Sequence, residues 1–134
     1  RAARMIFGIG TDLCDAGRME KSLTRQSFVN HVFSPQEQDQ LNTLHGKHRA
    51  ESAAANFAAK EAFLKAAGTG LGGFALPELA VLRRESGAPF FALTGTASAW
   101  AAANGLTIHV SLSHEAGLAS AVVILEQQEM DQNR

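Results

Sequence analysis

Hydrophobic and polar residues change period several times along this chain, and each change marks an element. From Met5 to Leu13 the period is two, which predicts a strand. Phe7, Ile9, Thr11 and Leu13 share one face; Ile6, Gly8, Gly10 and Asp12 share the other. Asp15 is placed to cap a short helix over Arg18 to Arg25. Ser34-Pro35-Gln36-Glu37 combines a capping serine, proline at the first helical position and glutamate at the third. That helix is expected to run to about Leu44 and stop at Gly46. A long alanine-rich helix follows, roughly Arg49 to Ala67, uninterrupted by Gly or Pro and closed by Gly68. Gly68 to Gly73 reads as a mobile glycine-rich loop.

Leu79 to Arg84 and Pro89 to Thr94 read as strands joined through Glu85-Ser86-Gly87-Ala88. Thr96 to Ala103 is a second alanine-rich helix, closed by Asn104-Gly105. Leu106, Ile108, Val110 and Leu112 then alternate with Thr107, His109, Ser111 and Ser113, a half-buried strand. Ala116-Gly117 turns the chain into a last strand, Ala119 to Leu125, and the polar tail from Glu126 is expected to fray. The order strand, helices, hairpin, helix, hairpin predicts an α+β fold with a mainly antiparallel sheet packed on the long alanine-rich helix. A single domain is expected over 5–126, with 127–134 a polar tail. Arg1 to Arg4 precede Met5 and are expected to be a leader or a cloning remnant.

Composition narrows the function classes. The chain has 134 residues, enough for one domain with a real core. A net charge of -1 gives no general attraction to nucleic acid or membrane. The longest aliphatic run, Ala121 to Leu125, is far too short to span a bilayer, and no signal peptide is visible. Cys14 is the only cysteine, so an internal disulfide is impossible and a reducing, cytoplasmic setting is expected.

Asp12 at a strand end and Glu61 in the middle of a helix, brought together, would hold a hard divalent cation. Lys65 lies one turn beyond Glu61 on the same helical face, and a cation beside a lysine suits a diphosphate ligand. Lys60 points about 140° away, so it should not serve the same phosphate. A plainer reading makes Glu61 and Lys65 an exposed ion pair and Asp12 a turn residue. His45-Gly46-Lys47-His48-Arg49 is a basic knot, either a phosphate contact or a solvated loop. His114 ends an alternating strand, at a site mouth or on a surface turn. Arg18, Lys21 and Arg25 make a basic helical stripe beside Met19 and Leu23, either a dock for an acidic partner or an ordinary amphipathic helix.

Gly8-Ile9-Gly10-Thr11-Asp12 together with Phe57-Ala58-Ala59-Lys60-Glu61-Ala62-Phe63-Leu64-Lys65 resembles the signature pair of the 4'-phosphopantetheinyl transferases. The short length, the Gly68-Thr69-Gly70 loop and Ser111-Leu112-Ser113-His114 resemble its small class, holo-[acyl carrier protein] synthase, from Met5 to about Glu126. The resemblance implies transfer of the 4'-phosphopantetheine arm of coenzyme A to a serine of apo acyl carrier protein, for fatty acid biosynthesis. It implies Mg²⁺, or Mn²⁺, on Asp12 and Glu61, and phosphate contacts and proton delivery by Lys65. Lys47, His48, Gly68 and His114 would contact the nucleotide, and Arg18, Lys21 and Arg25 would dock the carrier. Glu61, a metal-bound water or His114 could be the general base. A homotrimer is implied, with the strand Asp and motif Glu on one subunit and a neighbour completing the pocket. Asn56 stands where the family often has Arg, and Ala88 where a basic residue is common. A lost phosphate contact is the expected cost, with Lys47, His48 or Arg49 compensating. The competing functions are a catalytically silent coenzyme A or nucleotide-binding module of the same fold, and a metal-dependent phosphohydrolase.

Overall fold

The computed structural model describes residues 3–70 and 73–129. In chain order the elements are β1 (Arg4–Asp15), α1 (Ala16–Ser22), α2 (Gln26–Val32), α3 (Pro35–Leu41) and α4 (Gly46–Ala67). After a 3-10 turn at Leu76–Glu78 come β2 (Leu79–Arg83), β3 (Pro89–Leu93), α5 (Gly95–Ala103), β4 (Leu106–Glu115) and β5 (Leu118–Gln128). One antiparallel sheet has the order β1-β5-β4, and β2-β3 is a separate antiparallel hairpin. The expected α+β architecture is what the chain adopts.

Helix α4 lies on the inner face of the three-stranded sheet. Ala53, Ala54, Ala58, Ala59 and Ala62 are fully buried, so alanine sets how closely strands and helices approach it. The match is tightest at β1. A Cβ on Gly10 would fall on the carbonyl oxygen of Ala62, and one on Gly8 on that of Ala66. These two glycines let the strand lie directly against the helix. Gly68 closes α4 in the left-handed region, φ 78°, and its amide caps Leu64 and Lys65 carbonyls.

Several boundaries differ from the sequence reading, each for a local reason. The helix expected over Arg18 to Arg25 is α1, which starts at Ala16 and ends at Ser22. Thr24 donates its hydroxyl to the Lys21 carbonyl at 2.6 Å and turns the chain out. Arg25 is extended and precedes α2, a helix the sequence reading missed. Asp15 does cap α1, accepting from the Arg18 amide at 3.0 Å. Helix α3 has its capping box but stops at Leu41, where Thr43 takes the Gln40 carbonyl in the same way. Gly46 does not end a helix; it opens α4, so the basic knot is largely that helix's first turn. Strand β1 has a bulge between Ile6 and Gly8. Phe7 therefore leaves the face of Ile9 and Leu13 and meets Trp100 edge-on, centroids 5.7 Å apart. Glu126 to Gln128 are not frayed but complete β5, with Arg4 pairing to Gln128. Leu71 and Gly72 of the glycine loop, Arg1 and Ala2, and Met130 to Arg134 lie outside the described residues.

A polar knot runs through the interior. Lys60, fully buried, donates to Glu37 Oε1 at 2.7 Å and to the carbonyls of Leu76 and Leu79 at 2.8 and 3.0 Å. Asn56 donates to Glu37 Oε2 at 3.1 Å and to the Val81 carbonyl at 3.0 Å. The knot ties α3 and α4 to the start of the β2-β3 hairpin and fixes the rotation of α4 about its own axis.

Candidate active site

The fold turns a strand position and a helix position toward one point. Asp12 shares the α4-facing side of β1 with Gly8 and Gly10, and α4 presents Glu61 and Lys65 there. Lys65 Nζ donates to Asp12 Oδ1 at 3.1 Å and to the Thr11 carbonyl at 2.9 Å. The lysine thus reaches across to the strand acid rather than pairing back along its own helix. Burial, then the nearby Asp12 charge, raises the Glu61 carboxyl above its ordinary pKa, with Lys65 pulling the other way. Two carboxylates that repel each other beside one ammonium form a set that a divalent cation would stabilise. Among the described residues no group of three or more His, Cys, Asp and Glu side chains could cage a metal. Two acids and an open side fit Mg²⁺, which keeps waters and takes substrate phosphate oxygens, better than a metal needing a full protein shell. A depression of about 480 Å³ opens here, lined by Thr11, Asp12, Leu13, Lys65, Ser120 and Val122.

Cys14 follows Asp12 on the same side of the strand. Burial, then Asp12 and Asp15, pushes its thiol up to about 11. The group stays protonated at neutral pH and is no nucleophile.

Other candidates gather elsewhere. Lys47 and His48 occupy the first turn of α4, about 20 Å along the axis from Glu61 at 1.5 Å per residue. His48 Nδ1 and His114 Nδ1 lie 3.9 and 3.7 Å from the two oxygens of Glu51. A second depression, about 460 Å³, is lined by His48, Glu51, Arg83, Pro89, Ser113 and His114. Within one chain, then, the acids and Lys65 form one cluster and the two histidines another. Arg83, which the sequence reading missed, brings a guanidinium to the second cluster; nothing in its strand's alternation distinguishes it from a solvated β2 cation.

Two expectations are corrected. Asn56 is 3% exposed and bound to Glu37 and Val81, so it belongs to the interior knot. The side chain at this position therefore bears on the core around Glu37, not directly on a nucleotide phosphate. The basic stripe loses its geometry, because Arg25 lies beyond α1 and stacks over the Phe28 ring at 5.6 Å. Met19 is buried and cannot anchor a partner. Arg18 and Lys21 remain together on α1. Gly68 has open space beyond its Cα, so its local reason is the left-handed cap.

The family model of the 4'-phosphopantetheinyl transferase superfamily matches residues 8–121. The holo-[acyl-carrier-protein] synthase of Treponema denticola is 44% identical over 124 residues, covering 91% of this chain and 99% of that protein. A crystal structure of the Bacillus anthracis holo-(acyl-carrier-protein) synthase in complex with CoA (3',5'-ADP) superposes with TM-score 0.78 at 31% identity, covering 92% of this chain and 98% of the other. The Plasmodium yoelii acyl carrier protein synthase with ADP bound gives TM-score 0.83 at 29% identity, covering 95% and 99%.

Proposed function

We propose that this chain, which belongs to the 4'-phosphopantetheinyl transferase superfamily, transfers the 4'-phosphopantetheine arm of coenzyme A to a serine of an apo acyl carrier protein. The observation that carries the reading is the convergence of Asp12, Glu61 and Lys65 from two sequence-distant motifs. Asp12 and Glu61 would hold Mg²⁺, or Mn²⁺, against the coenzyme A diphosphate. The cation would stabilise charge on the phosphate oxygens as the carrier serine attacks and 3',5'-ADP leaves. Lys65 would contact the phosphates and supply a proton to the leaving group. Glu61, a metal-bound water or His114 would accept the serine proton. His48, Arg83 and His114, with Lys47 nearby, would receive the nucleotide and its 3'-phosphate. Gly68 would serve by ending α4 just past Lys65. Arg18 and Lys21 on α1 would steer an acidic carrier, with Arg25 adding its charge from the start of α2.

The separation of the two half-sites supports a homotrimer. Ile9 and Leu13 are 56% and 64% exposed on the outer sheet face, with Val122 and Ile124 half-buried beside them. Such an apolar surface suits burial against a second copy, which would bring one chain's acids to another's histidines. Among the described residues no helix is long and apolar enough to cross a membrane. We place the reaction in cytoplasmic fatty acid biosynthesis on the chemistry of its substrates.

The test is one mixture: protein, coenzyme A, Mg²⁺ and an apo acyl carrier protein, followed by mass spectrometry of the carrier. A gain of one phosphopantetheine, lost in Asp12→Ala and Glu61→Ala, supports the reading. Binding of coenzyme A without turnover would select a silent module. Release of 3',5'-ADP without any carrier would select a hydrolase.

A further inference from the structure

Lys65 is already engaged at the site. Its ammonium is bound to Asp12 Oδ1 and the Thr11 carbonyl, the side of β1 on which a cation would have to settle. A cation approaching Asp12 meets that ammonium first, and two positive charges cannot share one carboxylate oxygen at low cost. We propose that Lys65 is a displaceable counter-ion of Asp12, so that loading the cation is an exchange in which the lysine swings off the strand acid. This rests on the metal reading of Asp12 and Glu61 above and adds the step that precedes it.

The fold makes the exchange feasible. Lys65 stands in the last turn of α4, with its side chain 55% exposed, while Asp12 is 22% exposed. The ammonium can leave into water by rotating a long aliphatic stem, and the helix need not move. Lys60 offers the contrast, because its ammonium is enclosed by three acceptors and cannot turn. The displaced Lys65 would be free to meet the diphosphate that arrives with the cation. One lysine would then neutralise the acid before loading and the phosphate after it.

The experiment measures Mn²⁺ alone binding to the full chain, by electron paramagnetic resonance of the free ion, with no coenzyme A and no turnover. Lys65→Met and Lys65→Gln should each bind Mn²⁺ about two- to fivefold more tightly than the wild type, the range of a partly exposed ion pair. Structural damage would weaken binding, so a gain is diagnostic. Arg18→Met controls for charge removal, since the Arg18 charge reaches the Cys14 thiol beside Asp12; it should change affinity little. Equal or weaker binding by both Lys65 variants would overturn the exchange while leaving the metal site standing. An equal gain in Arg18→Met would overturn it in favour of a general field effect. If neither wild type nor the Lys65 variants bound Mn²⁺, the metal site and the exchange would both fall.

Discussion

Lys60 and Lys65 belong to one motif and one helix, yet their environments oppose each other. Lys60 is wholly enclosed, and burial lowers its pKa against the pull of Glu37. Replacing it with Met leaves the Glu37 carboxylate buried without its ion partner. A loss of about 3–5 kcal/mol is expected, seen as a lower urea midpoint. Lys65→Met should change stability by no more than about 0.5 kcal/mol and act on turnover instead. Unchanged stability in Lys60→Met would mean that the knot does not hold the helix. Cys14 gives a pH signature. Its folded pKa, about 11, exceeds the ordinary 9.0. Between those values the unfolded chain has released the proton and the fold retains it. Stability therefore falls as pH rises from 9 to 11, by about 1 kcal/mol once discounted for a half-exposed group. Cys14→Val should remove that part of the slope in pH-dependent denaturation.

At the scale of elements, the β1–α4 contact governs the site, because it sets the approach of Asp12 to Glu61 and Lys65. Gly10→Ala would press a methyl group onto the Ala62 carbonyl, which is backbone and cannot rotate aside. An overpacking cost of about 1–3 kcal/mol is expected, with weakened Mn²⁺ binding, because strand and helix must part. Wild-type Mn²⁺ affinity in that variant would show that the contact does not position the acids. This dependence was legible in the sequence: two glycines preceding Asp12 on its own side of a strand, and an alanine-dominated helix that no Gly or Pro interrupts. The core of the motif helix and the stripe joining Glu61 to Lys65 were legible for the same reason, since spacing along one helix is fixed. What could not be read was tertiary. Glu37 and Lys60 are 23 positions apart and signalled only a helix cap and a motif lysine. Thr24 and Thr43 end their helices by local hydroxyl bonds that a period of 3.6 does not register. Asn56 looked like a missing phosphate ligand because its direction depends on which way α4 is rolled.

For the whole molecule, the decisive fact is that the residues expected in one pocket occupy two, at separated positions on α4 and the sheet. Asp12 and Lys65 line one depression, with the Glu61 charge close enough to feel both, and His48, Arg83 and His114 line the other. In a trimer of the proposed kind, each complete site takes one half from each of two copies. That arrangement makes a prediction no monomeric site could meet. Glu61→Ala chains lack the first half, and chains carrying His48→Ala with His114→Ala lack the second; each preparation alone should be inactive or nearly so. After the two are mixed, dissociated and reassociated, random assembly would pair an intact first half with an intact second half at roughly a quarter of the interfaces. Carrier modification should return to about that fraction of wild type, measured by mass spectrometry of the carrier. Light scattering on the same samples should give three chains per particle. Ile9→Lys, which puts charge in the middle of the exposed apolar face, should give monomers and abolish the recovery while leaving Asp12 and Glu61 in place. No recovery from a mixture proven to contain mixed trimers would place both halves of each working site on one chain, and the function of the outer sheet face would then lie elsewhere.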